Sequence, residues 1–318
     1  MHPRNGRPVK HVLLVGSAVD PHVQAITRLC ERAGAECTLT SEDSLVSIAF
    51  DAAGPGGAAS PEAEPTGVWW RVKPGFFRVE EHNSRNMFMR REWQHVLEAF
   101  ELIYAQANWV NPREVDRRVR HKPNQLGMAQ ACGLHIPPTL ISNDPQRVQE
   151  FVAAQTGRQA VFKPLSWFSE RPDRQLFTNV VDIETIRANP DAIRRAPGIF
   201  QAVIPKVYEL RITVVQRSIF AVRIDSQARP ETRIDWRRNQ LELRYDAFTS
   251  LPPRLSEALL DFHARNRLVF GAYDFIVTPD GDFVFLEVNP VGQWLWLEDA
   301  TGVQISAAVA QALLGVSV

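Results

Sequence analysis

The chain has 318 residues, 36 Lys and Arg against 36 Asp and Glu, and an apolar fraction of 45%. That length predicts two or three compact units, and a formal net charge of zero gives no electrostatic reason for a nucleic-acid partner. No apolar run is long enough for a bilayer and the start of the chain lacks a signal-peptide pattern, so no membrane partner is expected and a cytoplasmic protein is.

The first element is a buried strand, HVLLVG at 11–16, followed by a helical pattern through Val23, Ile26 and Leu29 that ends at Gly34, then the strand CTLT. Residues 52–65, AAGPGGAASPEAEP, read as a loop or linker. VWWRV reads as a strand and residues 84–105 as a long helix whose Phe88, Trp93, Leu97, Phe100 and Tyr104 are expected in the core. Asn111, Pro112 and Glu114 give a helix start with Asn111 as N-cap, and Gly133 closes the next helical stretch, leaving His121 and Lys122 between two short helices.

The middle of the chain reads as mixed α and β: the strand PPTLIS, a helix opened by Asn143, Asp144 and Pro145, the strands QAVFKPL and QLFTNVVD, and one helical piece over 183–195. IFQAVIPK then leads to a hairpin, YELRITVV and SIFAVRID, and to the Arg-rich loop ETRIDWRRN. A helix through Leu255, Ala258, Leu259 and Phe262 precedes a second hairpin, GAYDFIVT and DFVFLEVNP. Cys30, Cys37 and Cys132 make no CxxC pair and read as small buried hydrophobes.

The second hairpin carries the sharpest local inference. With Asp280-Gly281 as a two-residue turn, Pro279 opposes Asp282, and counting outward sets Asp274 opposite Glu287, with Asn289 two residues further along the same face. Two facing carboxylates beside Phe275, Val284 and Phe285 repel and are poorly solvated, so the pair calls for a cation. Oxygen ligands of this kind suit Mg²⁺; the alternative is a solvent-facing acidic pair at a sheet edge.

Cationic residues point the same way. The chain uses Lys at only five positions, Lys10, Lys73, Lys122, Lys163 and Lys206, so a Lys marks a place where a compact ammonium is wanted. Lys163 ends an apolar strand where packing gives it no role and a phosphate contact would; Lys122 alone reads equally as a snorkelling surface residue. Glu209 and Arg211 share a strand face, as an ion pair or as a ribose acceptor beside a phosphate donor, and spacing leaves both open.

In their order, Lys122 in HKPNQL, Lys163 in VFKPL, FQAVI followed by ELR, then Asp274, Glu287 and Asn289 resemble the ATP-grasp ligases. FLEVNPVGQWLWLE, with Asp235-Trp236-Arg237 and VYELRITVV, resembles more closely the ATP-grasp ribosomal peptide maturases that make microviridins and other graspetides, from about Val68 onward. Trp69-Trp70-Arg71-Val72 matches only part of that family's pair of arginines, Val291 replaces a commoner Asn, and residues 52–65 look like an insertion.

The resemblance implies an α/β (α+β) ATP-grasp fold: an N-terminal βαβ domain over 1–120, a central α+β domain over 121–204 and a C-terminal antiparallel-sheet domain over 205–318. It implies that Lys122 and Lys163 hold the phosphates of ATP, that the backbone at Gln201, Ala202 and Val203 meets the adenine, and that Glu209 accepts from the ribose. Arg211 would reach the γ-phosphate, and Asp274, Glu287 and Asn289 would hold Mg²⁺. Arg237, with Arg223 as a second candidate, would stabilise the acyl phosphate or the oxyanion, and Asp235 is either a base or the structural partner of an arginine.

The implied activity is ADP-forming: Asp or Glu side chains of a ribosomal precursor peptide, leader plus core, become acyl phosphates and then macrocyclic esters with Ser/Thr or amides with Lys. A homodimer is compatible with it. Two other readings are the same chemistry on a free amino acid or small acid, against which QWLWLE argues, and a non-catalytic peptide-binding module. Against the latter stand the intact Lys163, Arg211, Asp274, Glu287 and Asn289.

Overall fold

The computed structural model of the protein describes residues 9–41, 64–72, 84–166 and 177–316. The linker reading of 52–65 therefore lies, up to residue 63, outside the described residues, as do Lys73 and the first two residues of QLFTNVVD. Three sheets organise the rest. The first takes β1 (His11–Gly16), β2 (Glu36–Thr40), β3 (Gly67–Arg71) and β4 (Asn108–Val110), all parallel, in the order β2-β1-β3-β4.

Between β1 and β2 runs α1 (Pro21–Arg32), started by Pro at its first turn and by Asp20, whose side chain accepts from the His22 amide at 2.9 Å. Its Val23, Ile26 and Cys30 are buried on the sheet. Between β3 and β4 lies α2 (Ser84–Ile103), which buries Leu97 and Phe100, with Tyr104 just beyond it. The expected aromatic stripe stops there: Phe88 is exposed and Trp93 half-buried, because only the second half of α2 packs on the sheet.

Two short helices, α3 (Arg113–Val119) and α4 (Lys122–Ala131), lead into the second sheet. The expected cap is corrected here: Pro112, not Asn111, precedes α3, and no side chain caps it. Asn111 is buried and ties the first sheet to the third: its Oδ1 accepts from the amides of Val269 at 2.7 Å and Phe270 at 2.9 Å, while its Nδ2 donates to the carbonyls of Phe270 and Pro290 at 2.8 and 2.9 Å. A local helix signal was overridden by four tertiary hydrogen bonds.

The second sheet is antiparallel in the order β5-β8-β6-β7, from β5 (Thr139–Ser142), β6 (Gln159–Lys163), β7 (Asn179–Asp182) and β8 (Gly198–Ala202). Its helices are α5 (Pro145–Ala153), α6 (Ile183–Ala188) and α7 (Pro190–Arg195). The single helix expected over 183–195 is two, broken at Asn189 because Pro190 cannot continue the first.

The third sheet is antiparallel in the order β11-β10-β9-β12-β13, from β9 (Tyr208–Val215), β10 (Ser218–Ile224), β11 (Tyr245–Ala247), β12 (Phe270–Val277) and β13 (Phe283–Asn289). One face packs on α8 (Pro253–Asn266) through Leu255, Leu259 and Phe262. The chain then returns to the first sheet with α9 (Leu295–Thr301) and α10 (Ile305–Leu313). Val309 and Leu313 share a core with Val12, Leu14 and Ile26, so the chain's two ends build one unit. A Cβ on Gly67 would lie 2.2 Å from the Leu313 carbonyl oxygen, so only glycine permits this approach.

In the core under α8, His263 is buried with its ring centroid 5.5 Å from that of Tyr273, and neither ring nitrogen has a hydrogen-bond partner. Burial pushes its pKa from the ordinary 6.5 down to about 4. The folded protein thus refuses a proton that the unfolded chain takes up below pH 6.5, so stability falls as the pH is lowered toward 4. Urea unfolding of His263→Leu at pH 7 and pH 5 is expected to show a smaller loss than wild type, by about 2 kcal/mol. Equal pH dependence would mean that His263 titrates normally.

Candidate active site

The pair expected across the second hairpin is present, Asp274 on β12 opposite Glu287 on β13, and Asn289 pairs with Ala272 two residues further on; the structure adds Arg211 on β9, which pairs with Asp274 from the other side. The route to it differs from simple counting. The turn has three residues, Pro279, Asp280 and Gly281, closed by the Gly281 amide donating to the Thr278 carbonyl at 3.0 Å, with Gly281 at φ +85. This shifts the pairing by one, so Phe275 faces Phe285. A bulge at Leu286 adds the compensating residue and restores Asp274 opposite Glu287.

Arg211 donates to Asp274 Oδ1 at 2.7 Å, and Lys122 Nζ lies 2.8 Å from Glu287 Oε2. Lys122 reaches across from the first residue of α4 because Gln125, one turn on and buried, clamps that helix to β13. Gln125 Nε2 donates to the Val288 carbonyl at 2.8 Å and its Oε1 accepts from the Val288 amide at 3.1 Å. Sequence reasoning missed Gln125, since a buried glutamine in a helix carries no local signal.

Burial raises the carboxyl of Asp274; Arg211 opposes that rise and Glu287 adds to it, leaving the group above the usual range. For Glu287 burial also raises, but Lys122, Arg237 and Lys163 outweigh it and hold the carboxylate well below its ordinary value. Burial pushes Lys163, at the end of β6, down to about 8 against the pull of Glu287, with Lys122 and Arg237 adding to the fall. Glu209 is buried and raised by burial, with Lys206 Nζ at 2.7 Å in partial compensation. Five cations, Lys122, Lys163, Lys206, Arg211 and Arg237, and three carboxylates, Glu209, Asp274 and Glu287, brought together from the second and third sheets, α4 and two loops, thus feel one another, a cluster that structural packing does not require.

Arg237 belongs to this cluster through the loop after β10. It grips Asp235 with two bonds, Nε to Oδ1 at 2.8 Å and Nη2 to Oδ2 at 2.6 Å, yet its side chain remains about half exposed. Asp235 also accepts from the Thr178 amide at 3.1 Å, and Arg238 donates to the Thr178 carbonyl at 3.0 Å, so the loop bridges the second and third sheets. Although burial raises Asp235, its bonds from Arg237 and Thr178 hold it below the ordinary range. Such a carboxylate is a poor proton acceptor, which favours the structural alternative over the base.

Arg223 is not brought to the site. Across the β9–β10 hairpin, Arg211 pairs with Val222 and Arg223 with Leu210, which puts Arg223 on the opposite face of the sheet. There its guanidinium carbon lies 4.3 Å from the Tyr208 ring centroid. Gln201 is buried, its Nε2 donating to Thr139 Oγ1 at 3.0 Å; the Ala202 amide donates to Pro138, and Val203 follows at the strand's end, leading to Lys206 and Glu209.

Among the described residues no group of three His, Cys, Asp or Glu side chains could hold a metal. The set that fits a hard cation is Asp274, Glu287 and the Asn289 amide, whose Oδ1 is oriented by the Val291 amide at 3.0 Å.

No family model matches the chain, and no curated protein matches it. Among solved structures it is similar to an ATP-grasp ligase associated with ribosomal peptides from Chryseobacterium gregarium, in complex with ADP and a leader and core peptide. The identity is 25% over 96% of this chain and 97% of that one, with a TM-score of 0.82. It is also similar to the macrocyclase MdnC of Microcystis aeruginosa MRC, bound with the precursor peptide MdnA, at 28% identity over 96% and 99% of the two chains and a TM-score of 0.82. The macrocyclase MdnB of the same organism matches at 26% identity, 96% and 99% coverage and a TM-score of 0.73. With three sheets, a row of Arg211, Asp274 and Glu287 across adjacent strands, and these likenesses over nearly its whole length, the chain is an ATP-grasp ligase similar to the ribosomal peptide maturases.

Proposed function

We propose that this protein uses ATP and Mg²⁺ to activate Asp or Glu side chains of a ribosomal precursor peptide as acyl phosphates, and that it closes macrocyclic esters with Ser/Thr or amides with Lys. The observation that carries the proposal is the convergence of Lys122, Lys163, Arg211 and Arg237 on the Asp274–Glu287 pair. In this reading 1–120, 121–204 and 205–318 are the three working units, with α10 at the end of the third completing the core of the first, and the activity lies in the cytoplasm, where ATP and new peptide meet.

In this reading Lys122 and Lys163 hold phosphate oxygens, Glu209 accepts from the ribose, and the chain at Gln201 to Val203 borders the adenine. Asp274, Glu287 and Asn289 would hold Mg²⁺, which supplies neutralisation of phosphate charge. Arg211, seated beside Asp274, steadies the γ-phosphate as a peptide carboxylate oxygen attacks phosphorus and ADP departs. Arg237 then faces the acyl group: its free guanidinium edge stabilises the oxyanion formed when a hydroxyl or amine attacks the acyl carbon. Phosphate leaves with the former carboxylate oxygen, and the nucleophile's proton passes to solvent.

The test is to incubate the protein with ATP, Mg²⁺ and peptides encoded near its gene that carry acidic and Ser, Thr or Lys residues. Mass spectrometry should show loss of one water per bond formed. Water loss only when a free amino acid is joined to another acid would move the substrate to the small-molecule ligases.

A further inference from the structure

The β1–α1 turn and α9 meet in a buried network. The Trp294 and Leu295 amides, at the start of α9, both donate to His22 Nε2, at 3.0 and 3.3 Å. Amides at a helix start have no partner within the helix, and here one side chain from a distant segment serves two. For Nε2 to accept, the ring proton must sit on Nδ1, and Asp20 Oδ1 lies 3.1 Å from Nδ1, fixing that tautomer. The other Asp20 oxygen accepts from Arg71 Nε at 3.0 Å, and Arg71 Nη1 reaches the Val291 and Gly292 carbonyls at 3.5 and 3.4 Å. Asp20, His22 and Arg71 are all buried.

What the network holds touches the site at two places. A Cβ on Gly292 would lie 3.0 Å from Arg211 Nη2, so the turn before α9 forms the wall behind that arginine. Within α9, Trp296 packs on Trp236 at 5.1 Å between ring centroids, and Trp236 sits between Asp235 and Arg237. Tyr245 closes the cluster edge-on to Trp296 at 4.8 Å. We infer that His22, oriented by Asp20, is a positioning residue for catalysis: by pinning the start of α9 it sets Trp296 under Trp236 and so fixes where Arg237 stands. The catalytic part of this inference rests on the function proposed above; the mechanical part does not.

The experiment pairs amide hydrogen exchange with kinetics. In His22→Ala, exchange over 291–297 and over 235–241 should quicken by about tenfold or more, while α8 is unchanged. Product formation at saturating ATP should fall by about tenfold with the KM for ATP changed by less than about twofold. His22→Gln, which keeps an acceptor near the Nε2 position, should restore most of both. Trp296→Leu, whose half-buried ring can be lost without unfolding, should quicken 235–241 and slow product formation while leaving 291–295 protected. Unchanged exchange over 235–241 in both variants would overturn the inference, as would quickening of α8 to the same degree or failure of the Gln variant to restore. A wild-type protein that makes no product while showing the expected exchange pattern would instead overturn the proposed function.

Discussion

Arg237→Ala is expected to lower product formation by about 10²-fold or more while ATP affinity changes little. The physical basis is that Arg237 has its Nε and Nη2 committed to Asp235 while its side chain stays about half exposed, within the field of Glu287 and Asp274. Pre-oriented charge of this kind stabilises a developing oxyanion without reorganising during reaction. Arg237→Lys should recover only part of the loss, because an ammonium cannot grip Asp235 through two parallel bonds. Product formation and ATP titration together check the prediction. Normal turnover in the Ala variant would remove Arg237 from the mechanism, and lost ATP binding would move it to the nucleotide site.

Glu287→Gln should reduce turnover by at least about 10²-fold with the fold retained. Two opposing changes keep the effect on stability small. The amide loses the ion pair with Lys122 at 2.8 Å, but it also removes the like charge that helps raise Asp274. With one carboxylate left, the oxygen set is too weakly charged to hold Mg²⁺ against the neighbouring cations. Thermal unfolding, circular dichroism and turnover measured on the same preparation provide the check. A folded variant with full activity would remove the Asp274–Glu287 pair from the metal site.

Much of the fold was legible because it follows local rules. The β-α-β start shows in apolar runs and in Asp20-Pro21, a cap and a first-turn proline; α5 shows the same pattern in Asp144-Pro145. The Asp274–Glu287 pairing was also within reach, although a three-residue turn and a bulge at Leu286 replaced the two-residue turn that suggested it. Opposite errors of one residue cancelled, so only the structure shows that this pair depends on a bulge. Arg223 could have been set aside by the same counting, since the β9–β10 register puts it on the face away from Arg211.

What stayed hidden depends on distant partners. Asn111 looks like a helix cap until Phe270 and Pro290 are placed beside it. His22 and Gln125 look like ordinary helix residues until α9 and β13 arrive to use them. In the phrase GQWLWLE, which carries the family likeness, Trp294 is buried against His22 and Trp296 supports Trp236. Its packing partners are segments that spacing cannot bring together.

The central claim is that a carboxylate is activated by phosphorylation, and an isotope label reads this directly. A peptide substrate whose Asp and Glu carboxylates carry heavy oxygen should, with ATP, Mg²⁺ and this protein, yield ADP and inorganic phosphate containing one labelled oxygen for each ring closed. Label recovered in AMP, with pyrophosphate released, or ring closure with unlabelled phosphate, would contradict the account.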